Sequence, residues 1–186
     1  IKKYSGVGEL VVPPDLHIPS PPGDILTTWF KFRDANWWID YPTSARALLM
    51  FWHEYGQAPV DGVIAIDTSA MSAVLDVTGP ITVTTHDETF TAENLLVRLT
   101  YLVETEFYER QVEAGGTLSP KEKKAVIAAL AHEMTKRVSS GGSQVLAGTA
   151  SALAKAADGK HVQFYSSDPV AQAAVEGLGW SGALTA

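Results

Sequence analysis

Two periods of apolar residues alternate along this chain, one suited to helices and one to strands. From Thr43 to Tyr55, Ala45, Leu48, Leu49, Trp52 and Tyr55 recur three or four apart, which predicts an amphipathic helix entered just after Pro42. Val63 to Ile66 is an unbroken apolar run bounded by Asp61-Gly62 and Asp67, and it predicts a strand buried on both faces beneath helices. Asp67 or Thr68 then stands where a cap is needed for a helix over Ser69 to Val77. Met71, Val74, Leu75 and Thr78 follow its inner face, and Gly79-Pro80 ends it. Ile81 to Thr85 predicts the next strand, and His86-Asp87-Glu88 a turn.

The second half reads in the same way. Thr91 caps a long helix running towards Gln111, with Leu95, Leu99, Leu102 and Phe107 on its buried side, and Gly115-Gly116 breaks it. Ser119-Pro120-Lys121-Glu122 combines a capping serine, a proline at the first helical position and a glutamate three residues after the cap. Ile127, Leu130, Met134 and Val138 carry that helix to Ser139-Ser140-Gly141-Gly142. Ser143 to Ala157 forms another helix, His161 to Tyr165 a strand, and Asp168-Pro169 opens a last helix ending at Gly177. Ahead of all this, Pro13, Pro14, Pro19, Pro21 and Pro22 exclude a continuing helix or an interior strand. Residues 1–23 therefore read as an extended connector with a short strand near Glu9 to Val12, and Ile25 to Phe32 as a strand that delivers Arg33 and Asp34. Alternating strands and helices over 24–186 imply a single layered α/β/α domain around a central mixed β-sheet.

With 46% hydrophobic and 19% charged positions in 186 residues, the chain has the apolar surface for a full core, so it is not a disordered tail. Its net charge of -7 argues against a general nucleic-acid binder, whose affinity comes from clustered Lys and Arg. Without Cys there is no disulfide framework, thiolate nucleophile or thiolate zinc site, and the five His show no ligand spacing. Dinucleotide, Walker, zincin and serine-hydrolase signatures are missing too. No apolar run approaches the roughly 20 residues that span a bilayer, and no basic-then-apolar leader opens the chain. It starts at Ile1 rather than Met and stops shortly after Gly179-Trp180-Ser181-Gly182, as expected of a piece of something longer. Any membrane association then falls to a segment outside this sequence.

Chemistry-bearing residues concentrate between Arg33 and Tyr41. Arg33 offers a planar fork for phosphate oxygens, and Asp34 beside it offers a carboxylate that can hold a divalent cation or orient a base. Asn36 and Asp40 can ligate a cation or hydrogen-bond a sugar, while Trp37 and Trp38 can stack on carbohydrate or cover a lipid chain. A plainer reading has the same residues hold a turn, Trp as a pin and Asn and Asp as caps. Downstream, Lys121, Lys123, Lys124, Lys136 and Arg137 outnumber Glu122 and Glu133, which makes this the most basic stretch of an acidic protein. Lys123 and Lys124 are candidate ligands for an anion there, with a solvated helix face as the plainer account.

The block Asn36-Trp37-Trp38-Ile39-Asp40-Tyr41-Pro42-Thr43-Ser44-Ala45, the strand Asp61-Gly62-Val63-Ile64-Ala65-Ile66-Asp67 and the turn Thr78-Gly79-Pro80 resemble the bacterial domain of unknown function family four thousand and twelve. More distantly they resemble the LytR-CpsA-Psr envelope phosphotransferases. The resemblance implies a LytR-CpsA-Psr-like fold, an N-terminal membrane anchor and an exported body outside the cytoplasmic membrane. By the same likeness Arg33 and Asp34 take the catalytic place of an Arg-Asp pair that handles a polyprenyl-linked pyrophosphate. Lys123 and Lys124 would help neutralise the diphosphate, and Asp34 or Asp40 would hold Mg²⁺. The enzymes' second motif, Asp-x-x-Arg-x-x-Arg-Gln, lacks a counterpart, since Lys123-Lys124 is the only nearby basic pair and Glu109-Arg110-Gln111 lies in another helix. Two functions follow as expectations. One is binding of a polyprenyl (pyro)phosphate glycolipid in relation to glycopolymer transfer; the other is a noncatalytic envelope module that binds cell-wall glycan or protein through the Trp-rich block.

Overall fold

The computed structural model describes residues 32–54, 56–116 and 124–184, apart from the Arg33 side chain. In chain order the elements are α1 (Tyr41–Glu54), β1 (Gly62–Ile66), α2 (Thr68–Thr78), β2 (Ile81–Val83), β3 (Glu88–Phe90) and α3 (Leu95–Thr100). A π-helical stretch (Tyr101–Glu106) then leads into α4 (Phe107–Glu113), followed by α5 (Ala125–Ser140), α6 (Gly142–Asp158), β4 (Val162–Ser166) and α7 (Pro169–Gly177). The chain divides into two compact units, one running to Ala65 and resuming at Gln163, the other running from Ile66 to Val162. The predicted strand near Glu9 to Val12, the strand predicted over Ile25 to Phe32 as far as Lys31, and the Ser119-Pro120 helix start lie outside the described residues. Phe32 opens a 3-10 turn through Asp34.

In the first unit α1 buries Ala45, Ala47, Met50 and Phe51, so of the predicted stripe Ala45 is buried while Leu48, Leu49 and Trp52 are half-covered. Ala35, Ala47, Met50 and Phe51 form a small cluster against which Phe32, Trp38 and Leu48 pack, and the Phe32 and Phe51 rings meet edge-on at 6.2 Å. The predicted strand at Val63 is present as β1, but the single central mixed sheet is not what the described strands build. β1 pairs with β4 and β2 with β3, each pair forming a two-stranded sheet. The Ser167 N–H donates to Asp61 O (2.8 Å) and the Asp67 N–H to His161 O (3.1 Å), so residues rise along one strand as they fall along the other and the β1–β4 pair is antiparallel. Nor is Val63 to Ile66 buried on both faces: Ile64 is 62% and Ile66 53% exposed. Successive side chains of a strand point to opposite faces, and here only the face carrying Val63 and Ala65 is half-covered. An apolar run records composition; it does not supply a second layer.

The second unit holds the larger core. Met71, Val74 and Leu75 of α2, Ile81, Val83 and Phe90 of the β2–β3 hairpin, Leu95 and Leu99 of α3, and Val126, Leu130 and Met134 of α5 form one buried cluster. Asp67 supplies the predicted cap of α2, its Oδ1 accepting from the Ala70 N–H at 3.0 Å, and Gly79 closes the helix with an N–H to Leu75 O. β2 is shorter than predicted, because Thr84 to His86 turns into a 3-10 helix and Asp87 is left-handed (φ 49°). The chain then returns as β3, a strand too short to show a period, with Ile81 opposite Phe90 and Val83 opposite Glu88. Thr91 does cap the next helix, through a reciprocal pair in which the Asn94 N–H donates to Thr91 Oγ1 (3.2 Å) and the Thr91 N–H to Asn94 Oδ1 (2.8 Å). Of the buried side predicted beyond it, Leu95, Leu99 and Phe107 are buried, and Leu102 is half-buried together with its neighbour Val103. Both half-buried residues lie in the π-helical stretch Tyr101–Glu106, which holds no fully buried residue.

Candidate functional site

The Trp-rich block forms the entry to α1. Asp40 is the N-cap: its Oδ2 accepts from the Thr43 N–H (3.0 Å) and the Thr43 hydroxyl (2.5 Å), and its carbonyl accepts the Ser44 N–H at 3.3 Å. Its other oxygen, Oδ1, accepts from the Leu184 N–H at 3.1 Å, and the Tyr41 N–H donates to Gly182 O at 3.2 Å, so the C-terminal segment docks on the helix start. Burial works against the charged form of Asp40. The Thr43 hydroxyl, the Leu184 and Thr43 amides and the Arg46 guanidinium outweigh it and hold the carboxyl below its ordinary value of 3.8. Burial also pushes the Tyr41 phenol up to about 12, with the Ala65 amide opposing.

The remaining members of the block separate by surroundings. Trp38 rests half-buried on the Ala47, Met50 and Phe51 cluster, with its carbonyl accepting from the Ser44 hydroxyl at 3.1 Å. Trp37 is 45% exposed and Asn36 is exposed, so these two face solvent from a turn that Trp38 and Asp40 hold in place. Asp34 is half-buried at the end of the 3-10 turn that also contains Arg33. Among the described residues no group of three or more His, Asp or Glu is placed to hold a metal ion.

Residues 9–103 match the family described as protein of unknown function, DUF4012, a span of 95 residues and so just over half of the 186. The chain belongs to that family. No curated protein and no solved structure matches it. The DUF4012 match takes in Arg33, Asp34, Asn36, Trp37, Trp38 and Asp40, and it stops before Lys123 and Lys124. Lys123 lies outside the described residues, and Lys124 is an exposed residue directly before α5, in the second unit.

Two features of this DUF4012 chain were not legible as sites. Asp67 Oδ2 and His161 Nδ1 stand 2.8 Å apart, both half-exposed, tying the start of α2 to the residue before β4. Burial opposes the Asp67 charge, but His161 and the Ala70 amide prevail and hold its carboxyl below 3.8. The other is an open-sided pocket of about 180 Å³ at the far end of α1, lined in part by Leu49, Trp52, Pro59 and Val60. Gly56 to Pro59 carry no motif that marks a site, and Ser167 joins the pocket from more than a hundred residues away.

Proposed function

We propose that this chain is the extracytoplasmic part of a membrane-anchored bacterial envelope protein and that it binds cell-wall glycan without transferring it, through the turn that carries Asn36 and Trp37. The observation that supports this best is the division of labour in the turn. Trp38 and Asp40 are engaged in holding α1, while Trp37 and Asn36 offer an aromatic surface and an amide to solvent on a preorganised backbone. An exposed Trp beside a side-chain amide suits a sugar, whose apolar ring face covers the indole while its hydroxyls meet the amide. The compartment and the anchor rest on the likeness to envelope proteins; among the described residues no helix is long and apolar enough to cross a membrane.

The second reading keeps the LytR-CpsA-Psr-like α/β/α architecture and a polyprenyl (pyro)phosphate ligand, with Arg33 and Lys123 or Lys124 neutralising the diphosphate and Asp34 holding Mg²⁺. Its support is the sequence Arg33-Asp34 in a turn next to the same block. Asp40 suits the metal role less, because both its oxygens already accept hydrogen bonds. Titration calorimetry separates the readings. Saturable binding of soluble cell-wall glycan that is lost in Trp37→Ala supports the glycan module. Binding of a short-chain polyprenyl diphosphate that needs Mg²⁺ and is lost in Arg33→Ala, without glycan binding, would establish the other.

A further inference from the structure

The pocket at the C-terminal end of α1 is shaped by hydrogen bonds of the chain that follows the helix. Gly56, with φ 61°, takes the left-handed conformation that ends α1, and its N–H closes onto His53 O at 2.8 Å. The Gln57 N–H then reaches Trp52 O at 3.3 Å, so the chain doubles back along the helix and stands Pro59 and Val60 beside Trp52. The Trp52 indole is pinned by its Nε1–H, which donates to Ala58 O at 2.7 Å. That bond uses the ring's single polar atom, so Trp52 presents apolar surface to the pocket. Ser167 is brought to the rim by its N–H to Asp61 O at 2.8 Å, across the start of β1.

Polar groups at the rim come from the Gln57 amide, the Ser167 hydroxyl and the His53 imidazole, the last 86% exposed. Among the described residues, no Lys, Arg, Asp or Glu lines the pocket. A phosphate or carboxylate would therefore enter without a permanent counter-charge, whereas a neutral polyhydroxylated ring would find apolar wall and hydrogen-bonding rim together. At about 180 Å³ the space is smaller than the roughly 300–1,000 Å³ that encloses a drug-sized ligand, so it admits one ring with the rest of an oligomer running over the surface.

We propose that this pocket is a subsite for a single neutral sugar ring of an oligosaccharide, seated against Trp52 and hydrogen-bonded by Gln57 and Ser167. It shares its ligand class with the glycan reading above but none of its residues, so either can fail alone.

The test is a titration of the ¹⁵N-labelled chain, followed by NMR, with neutral trisaccharides of glucose, galactose and N-acetylglucosamine. Glucose 6-phosphate serves as the charged comparison. The Trp52 indole N–H is the natural reporter. At least one neutral sugar is expected to shift it saturably at concentrations up to about 10 mM, a range suited to weak single-ring affinities. Val60→Trp fills the pocket from an exposed loop without touching the core, and Gln57→Ala removes the amide. Each is expected to weaken binding by about fivefold or more while Trp37→Ala leaves it unchanged, with dispersed spectra showing that the variants remain folded. Three results would overturn the proposal: no saturable shift at Trp52 with any neutral sugar, binding that survives Val60→Trp, or glucose 6-phosphate binding as tightly as the neutral probes.

Discussion

Asp40 is the residue at which capping and ligand binding make opposite predictions. Replacing it by Ala removes the side-chain acceptor of the Thr43 N–H, a change that costs about 1 kcal/mol at a typical N-cap. It also removes the negative charge from the first turn, roughly 0.3–1 kcal/mol. The lost bond to the Leu184 N–H adds no more than about 0.5 kcal/mol, since Leu184 is 67% exposed and its amide can turn to water. Together these give about 2 kcal/mol for Asp40→Ala. Asp40→Asn keeps one good cap acceptor but loses the charge and one of the two oxygens, which leaves a cost near 1 kcal/mol. For a chain of this size each kcal/mol moves Tm by about 2–4 °C, so thermal melts followed by circular dichroism should fall by roughly 4–8 °C for Ala and about half that for Asn. The sign with pH follows from a carboxyl held below 3.8 when folded. Its contribution is full above 3.8 and disappears as pH falls through the lower folded value, so the gap between native chain and Asp40→Asn should close in acid. Equal melting of Ala and native chains would remove the capping argument. So would an Asp40-dependent rise of Tm on adding Mg²⁺, which would return the residue to metal binding.

Four further outcomes are expected. Arg33→Ala should leave glycan affinity unchanged on the glycan reading; on the diphosphate reading it should cost roughly 1.5–3 kcal/mol in calorimetry, against under about 1 for Lys123→Ala with Lys124→Ala. Gly62→Ala would place a Cβ against the Tyr165 carbonyl oxygen, a backbone atom that cannot swing aside, so hydrogen exchange of the β1 and β4 amides should accelerate and stability should drop by about 1–3 kcal/mol. Asp67→Ala should destabilise by about 1 kcal/mol through the lost cap of α2, while Asp67→Asn retains most of it. Because the Asp67 carboxyl lies below 3.8 when folded, the benefit of its charge should persist at neutral pH and fade only below 3.8. Leu130→Ala, fully buried in the core of the second unit, should cost about 2–5 kcal/mol in denaturant melts; a cost under 1 would mean that this cluster is not the core.

The existence of the longer helices was legible from their apolar period, and several ends from a chemical stop or start, although α1 buries Ala47, Met50 and Phe51 rather than the predicted Leu48, Leu49 and Trp52. Asp67 and Asp168 cap α2 and α7 as their positions suggest, Thr91 caps through its pair with Asn94, and Gly79 ends α2. What escaped the sequence depends on partners distant along it. The exposure of Ile64 and Ile66 follows from what pairs with and covers β1, which an apolar run does not encode. β3 is three residues long, and the π-helical stretch Tyr101–Glu106 lies inside a segment that an α-helical template reads as ordinary amphipathicity. The Trp-rich block was recognisable as a unit, yet the roles inside it were not. Trp37 and Trp38 are chemically identical neighbours, and only the cluster at Ala47, Met50 and Phe51 makes one of them structural. Asp40 likewise acquires its second partner from Leu184, 144 residues away.

Both candidate contacts of the first unit depend on one helix. The turn with Asn36 and Trp37 precedes α1, the pocket at Trp52 closes its other end, and 14 helical residues hold their backbone attachments about 20 Å apart. A single sugar ring or a disaccharide is too short to occupy both, whereas a glycan strand has the length to do so. A helix is stiff, so the separation is fixed in advance and does not have to be ordered on binding. If one strand engages both ends, the second contact becomes intramolecular and overall affinity exceeds that of either alone without any new contact. Weak trisaccharide binding at the pocket would therefore be compatible with firm retention on polymeric glycan. The length of the ligand, more than the identity of any one sugar, would then decide how tightly this module holds.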